Sequence, residues 1–311
     1  MKKFISIITM AIVLIALPVN ESRADDAVQA SSFWEWLGDE NASRPELSDE
    51  ELRKRMLITG LASGAAVMAW GATFWDYSFD TSKIANEGWF GKDTKYGGAD
   101  KMGHVYATYL WSLGFSSLYE YWGVNEEDAM LYGPLSSWFF QFMMEIGDSS
   151  AGDDMGFSYE DVVMNTVGAA FYYLREKYPT VKEKLDLRIE YIPEFNGDGF
   201  FTQYNSMKYL VAMKFSGFES MDSNLLKYGE LQLGYYTRGY KDPDEYSQKE
   251  RTAYIGVGIN ISKVLSDLGW IKTGKVFNYY QLPYTYVPFG YDYDSRSYVQ
   301  PYSRPYRGYG R

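Results

Sequence analysis

The hydrophobic period of this chain changes once, near residue 180, and that switch limits the folds open to it. Before it, apolar residues gather in long segments with helical spacing: Met56 to Trp75, Lys101 to Trp122, Asn125 to Ile146 and Phe157 to Tyr178. Pro179 stops the last of them. Beyond it the period is two. Met207, Tyr209, Val211, Met213 and Phe215 alternate with Lys208, Leu210, Ala212, Lys214 and Ser216. Leu231, Leu233 and Tyr235 repeat the pattern, as do Ala253, Ile255, Val257, Ile259 and Ile261, and Leu187, Ile189 and Tyr191 add a further candidate strand. Helices followed by strands, rather than interleaved with them, predict an α+β chain: a bundle of about four apolar helices, then a small antiparallel β-meander of about four or five strands. A single-chain outer-membrane barrel needs at least about eight strands. The meander is therefore expected to pack on the helices or to border a membrane.

The N-terminus carries an export signal. Lys2 and Lys3 form a short basic region, Phe4 to Leu17 is almost wholly apolar, and Ser22-Arg23-Ala24 supplies a small-residue cleavage site. The apolar run is shorter than the roughly 20 residues of a membrane span, so residues 1–24 read as a cleaved signal peptide. Residues 25–54 follow as an acidic lead-in, with Ser48 and Glu51 spaced as a capping box. Residues 55–180 read as the helical domain, 181–279 as the β region, and 280–311 as a Tyr/Pro-rich tail, disordered or extended. With no cysteine in the sequence, disulfides, thiolate ligands and acylation on cysteine are excluded.

Charge narrows the partners. The chain carries a net charge of −11. The leader holds +2 (Lys2, Lys3 and Arg23 against Glu21), which leaves the mature chain at −13. Nucleic acid is excluded as a partner, because its phosphates require Lys and Arg. Simple electrostatic docking of the whole chain on anionic lipid is disfavoured for the same reason. The 30 Tyr and 9 Trp suit membrane interfaces, as does the uncharged segment Met56 to Trp75, which ends in Trp70, Phe74 and Trp75. Within it Gly60 and Gly64 form a small-xxx-small pair that lets a second helix approach closely. The segment is expected to be a span, with a buried bundle helix as the alternative.

Three polar stretches interrupt the apolar helices. Asp100, Lys101 and His104 lie in the first, Glu145 and Asp148 in the second, Asp161, Asn165 and Gly168 in the third. Asp100 and His104 are four residues apart, Glu145 and Asp148 three, and Asp161, Asn165 and Gly168 share a face, so each set lies on one side of its helix. Ser158 is placed to cap the last helix, with Asp161 at its third position. Polar groups in apolar helices are costly unless paired. The three faces are accordingly expected to meet in one hydrogen-bonded network, with Gly168 admitting a neighbouring helix. His104 is the sole histidine, and a base or ligand role for it beside Glu145, Asp148 or Asp161 is the functional alternative. A single histidine among scattered carboxylates, with no two-histidine motif, gives no expectation of a metal or of any cofactor.

The order Asp-Lys-x-x-His, Glu-x-x-Asp, then Gly-Phe-Ser-x-x-Asp-x-x-x-Asn-x-x-Gly is carried here by Asp100, Lys101 and His104, by Glu145 and Asp148, and by Gly156, Phe157, Ser158, Asp161, Asn165 and Gly168. It resembles the YfiM-like predicted periplasmic lipoproteins, a family of unknown function, over about residues 85–175, and more weakly to about residue 285. A more distant resemblance is to VanZ-like membrane proteins. The departure is the missing lipobox cysteine. The resemblance implies an envelope protein and supplies no reaction.

These readings lead to an exported, membrane-associated envelope protein, structural or binding lipid or envelope proteins, with the outer membrane preferred over the inner. The alternatives are a membrane hydrolase or transferase acting on a lipid-linked substrate, and a small transporter or channel component. No nucleophile elbow, P-loop, dinucleotide fingerprint or metalloprotease helix is present, which lowers the enzymatic alternative.

Overall fold

The computed structural model describes residues 45–78, 82–152, 155–193, 202–222, 224–240 and 248–301. The signal peptide, the lead-in as far as residue 44 and the last ten residues lie outside the described part. The architecture is α+β, helices first and then one antiparallel sheet. The chain divides into two compact units: residues up to 86 together with 107–177, and residues 87–106 together with 178–311.

The first unit is helical. Helix α1, Asp49–Phe74, opens on the capping box anticipated above, with Ser48 and Glu51 each satisfying the other's backbone N–H. Helix α2 spans Ala99–Tyr121 and belongs to this unit from Ala107 onward; α3 is Glu126–Asp148 and α4 Tyr159–Lys177. Asn125 caps α3 through Asp128 N. The apolar contacts centre on Val67, Phe115, Leu118, Tyr119, Trp122 and Phe140. Small residues set the spacing. A Cβ added at Gly64 would stand 2.9 Å from Phe139 Cε1, and one at Gly60 would meet only Ser136 Oγ at 3.9 Å, an ordinary contact. Gly168 is buried on α4. At Gly133 an added Cβ would sit 2.8 Å from the Ser116 backbone nitrogen, so α2 and α3 touch there backbone to backbone.

The second unit is the sheet. After Pro179, which opens the short helix α5, Pro179–Lys184, come β1 Leu185–Tyr191, β2 Met207–Lys214, β3 Gly229–Arg238 and β4 Glu250–Ile259. Two short helices, α6 Ile261–Asp267 and α7 Ile271–Val276, precede β5 Tyr286–Asp292 and β6 Ser297–Val299. The six strands form an antiparallel meander in chain order. That exceeds the four or five strands expected, because β5 and β6 occupy residues assigned from composition to the tail. The segment beside β1 is also engaged: Ile189 N donates to Tyr279 O, and Gln281 N donates to Ile189 O. Since residues 279–281 run directly toward β5, the sheet curls around an interior.

That interior combines a buried cluster of Leu210, Ala212, Tyr236, Tyr254 and Tyr286 with many charges. Inward-facing positions include Asp186, Arg188, Glu190, Lys208, Lys214, Glu230 and Gln232, all buried. The outward positions are apolar and fall in register. Leu233 pairs with Ile255, which pairs with Phe289; Leu231 pairs with Val257, which pairs with Val287. Period two separates the two faces, and here the polar one is enclosed.

Candidate functional site

In the helical unit the family-motif residues are brought together by short local bonds. Glu145 of α3 is 1% exposed and accepts from Ser158 N at 3.4 Å. Ser158 Oγ accepts from Asp161 N at 3.3 Å and donates to Glu160 Oε2 at 3.2 Å. Ser158 is thus the N-cap of α4, and its capping links Glu145 to the first turn of α4. Asn165, two turns into α4, accepts from Thr108 Oγ1 of α2 at 2.9 Å. The Thr108 carbonyl in turn receives Ser112 Oγ and Ser137 Oγ, each at 2.7 Å. Burying these groups is tolerable because hydroxyls and carboxylates supply partners for one another.

Asp148 has a separate task. It accepts from Tyr77 Oη at 2.7 Å. The Tyr77 ring lies against α1 and α3 where Gly71 and Gly147 leave room, and a Cβ at either glycine would overlap the ring. Burial, then the charge of Asp148 and its hydrogen bond, push the Tyr77 phenol well above its ordinary range. The hydroxyl therefore stays protonated, as a donor to the carboxylate.

Asp100, Lys101 and His104 belong to the second unit. The turn before them uses Gly97 and Gly98 at positive φ, 64° and 88°, the left-handed region that glycine adopts without strain. Lys101 is 1% exposed, with Nζ 2.5 Å from Glu87 Oε2 and 3.0 Å from Asp100 Oδ2. Two carboxylates around one buried ammonium meet the requirement that a charge out of water be paired. His104 follows one turn later on α2, half-buried.

The sheet interior holds the largest polar cluster. Arg188 bonds Asp186 at 2.9 Å, Glu230 at 2.8 Å and Gln281 at 3.1 Å. Gln232 Nε2 donates to Glu230 at 2.7 Å and to Gln281 at 3.1 Å, and Lys214 reaches Asp186 at 2.9 Å. Nearby, Glu190 takes Lys208 at 2.8 Å and the Tyr286 hydroxyl at 2.7 Å. Three cations thus stand among three anions.

The structure joins Glu145 to Asp161 through Ser158, ties Asn165 to Thr108, and gives Asp148 to Tyr77. Thr108, Ser112, Glu160, Glu87 and the sheet cluster were not anticipated. One signal was present: Asp100, His104, Thr108, Ser112 and Ser116 recur every four residues and make a polar stripe along α2. Another was the alternation of Asp186, Arg188 and Glu190 with Leu187, Ile189 and Tyr191 in β1.

Residues 86–177 match the model of a family described as predicted periplasmic lipoprotein (DUF2279). Over that stretch, about a third of its length, the chain is similar to this family. The match takes in the whole series from Asp100 to Gly168 and agrees with the YfiM-like resemblance. It marks an exported, envelope-associated protein of a family without an assigned activity. None of the 311 residues is a cysteine, so an acyl anchor on cysteine has no acceptor here. No curated protein and no solved structure matches the chain.

Proposed function

We propose that this protein is a membrane-seated component of the cell envelope, structural or ligand-binding, held in the bilayer by its helical unit. One observation carries the reading: beside their apolar core, α1, α3 and α4 each turn small and polar residues inward while leaving aliphatic ones exposed. Helix α1 buries Thr59, Ser63, Gly64 and Gly71 but leaves Leu57 and Leu61 64% and 56% exposed. Helix α3 buries Gly133, Ser137, Gln141 and Glu145 and exposes Leu131 and Leu135. Helix α4 buries Asp161, Asn165 and Gly168 and exposes Val163 and Val167. Helices in lipid pack in this manner, since lipid offers no reason to hide leucine and every reason to hide serine and asparagine. Helix α1 is long and apolar enough to cross a bilayer. The outer membrane is the preferred compartment, on the cleaved signal followed by Tyr- and Gly-rich strands.

Carbonate washing of membranes tests the reading. The protein is expected in the pellet, and a Leu57→Ser/Ile58→Ser/Leu61→Ser variant is expected to move to the supernatant or be degraded. Recovery of the unmodified protein wholly in the soluble fraction refutes it. Co-migration with inner-membrane markers on a density gradient would reverse the preferred compartment. A second reading, hydrolysis or transfer of a lipid-linked group, draws on the buried carboxylates Glu145, Glu160 and Asp161. His104→Ala with unchanged melting and failure to complement a deletion strain would favour it; parallel loss of folded protein would favour the structural role.

A further inference from the structure

We propose that the outward face of the sheet is itself a lipid-contacting surface, set in hydrocarbon with the α6–α7 end at an anionic headgroup layer. The inference rests on the membrane reading above and extends it from the helices to the sheet. Three observations point to lipid.

First, the face is uncharged where it is most exposed. Leu233, Ile255 and Phe289 form one cross-strand row, Leu231, Val257 and Val287 the next, and Leu233, Val257 and Phe289 are 62%, 53% and 64% exposed. A water-facing sheet places such residues on its core side. Here the core side holds, beside Leu210, Ala212 and the rings of Tyr236, Tyr254 and Tyr286, the ion pairs of Arg188, Lys208 and Lys214. Polar inside with apolar outside is the alternation of strands that meet lipid.

Second, the borders of the face carry the residues of a bilayer interface. The row Tyr235, Ala253, Tyr291 and Tyr298 is aligned by the strand register at one edge, with Tyr298 89% exposed; Tyr209, which continues the row on β2, is buried. Trp270, exposed between α6 and α7, stands beyond the other. Tyrosine and tryptophan settle at headgroup depth because the ring is apolar and its N–H or O–H is not. From Ala253 to Ile259 the apolar stretch of β4 measures about 20 Å at about 3.4 Å per residue, comparable to the roughly 25 Å apolar band of an outer-membrane barrel.

Third, charge complementarity fixes the kind of headgroup. The chain as a whole is strongly acidic. Residues 261–276 nonetheless carry Lys263, Lys272 and Lys275 against the single Asp267, with Lys272 and Lys275 exposed beside Leu268, Trp270 and Ile271. Asp267 is itself held by Lys263 and by Lys227, at 2.9 and 3.0 Å. A basic, Trp-bearing end on an acidic protein matches an anionic lipid surface.

The absence of cysteine makes the test direct. Single variants Val257→Cys and Phe289→Cys, with Leu61→Cys on α1 and Gln248→Cys in a loop as references, are spin-labelled in the full-length protein. They are reconstituted in vesicles of phosphatidylcholine, alone or mixed with phosphatidylglycerol. Labels at 257 and 289 are expected to be reached by oxygen and shielded from a water-soluble nickel chelate, with the reverse at 248. Flotation is expected to show stronger partition with phosphatidylglycerol, and Lys272→Gln and Lys275→Gln are expected to lower that partition roughly fivefold each. A label at 61 in lipid with those at 257 and 289 in water would overturn the sheet proposal and leave the helical reading standing. The opposite pattern would support the sheet and refute the helical seating. Shielding at 257 and 289 that needs no lipid and grows with protein concentration would assign the face to a second copy of the chain and overturn the proposal. Equal partition into both vesicle types, unaffected by the lysine variants, would overturn its anionic part.

Discussion

Replacing Arg188 with methionine tests whether the sheet interior is a closed ionic cluster. Methionine keeps the length of the side chain and removes its charge. The substitution takes away bonds of 2.9 Å to Asp186, 2.8 Å to Glu230 and 3.1 Å to Gln281 at once. Lys214 remains on Asp186 and Gln232 on Glu230, but the cluster is left with three anions against two cations. Removing one partner of a buried ion pair typically costs about 3–5 kcal/mol, because the remaining charge stays out of water. At about 2–4 °C per kcal/mol for a domain of this size, the melting temperature falls by roughly 6–20 °C. The double variant Arg188→Met/Glu230→Gln restores the balance: Asp186 keeps Lys214, Glu190 keeps Lys208, and a neutral amide replaces the stranded carboxylate. It is expected to recover at least about 2 kcal/mol, within the range of coupling between contacting residues. The assay is thermal unfolding of the detergent-solubilised protein, followed by far-UV circular dichroism. A single variant that melts within 2 °C of the original, or a double variant no better than the single, would refute a closed ionic cluster.

Further predictions address the helical unit and the leader. Tyr77→Phe should cost about 1.5 kcal/mol, the lower end for a hydrogen bond to a charged group, measured by urea unfolding. Because the folded state raises the Tyr77 phenol above its ordinary value, its contribution is complete below about pH 10 and is lost as pH climbs past that value; the phenylalanine variant should show a shallower alkaline decline. Gly133→Ala should be net destabilising by about 1 kcal/mol, overpacking against Ser116 outweighing the gain in helix propensity, whereas Gly114→Ala, which has open space around its Cβ, should be neutral or stabilising by up to about 1 kcal/mol. Protein recovered from the envelope should begin at Asp25 by N-terminal sequencing; a start at Met1 would show an uncleaved leader.

The boundary between helix and sheet was legible because period 3.6 and period 2 are different patterns and Pro179 stands between them. The last strands were not. Tyrosine, proline and glycine in 280–311 resemble a biased tail, and Pro288 in mid-strand argues against pairing. Yet β6 bonds β5 only from Gly290 onward, so Pro288 faces an unpaired edge and its missing N–H removes no ladder bond. Alternation in β1 and β2 revealed two faces without saying which is enclosed. That is decided by partners on other strands, such as Glu230 for Arg188, which no local window contains. In the helices, the spacing of Glu145 and of Ser158 with Asp161 could be read directly. Thr108 could not, because a helical threonine more often bonds its own backbone, as Ser112 does here to the Thr108 carbonyl.

The ionic interior also constrains how the sheet is built. The cations of β2 find their anions on β1, Lys208 on Glu190 and Lys214 on Asp186, while Arg188 of β1 takes Glu230 of β3. The β1–β2 hairpin alone therefore leaves Arg188 without its second carboxylate, and β3 alone leaves Glu230 without its arginine. Closing this set of ion pairs is a three-strand event, so the pairing of β2 with β3 is expected to form together with that of β1 with β2 rather than after it.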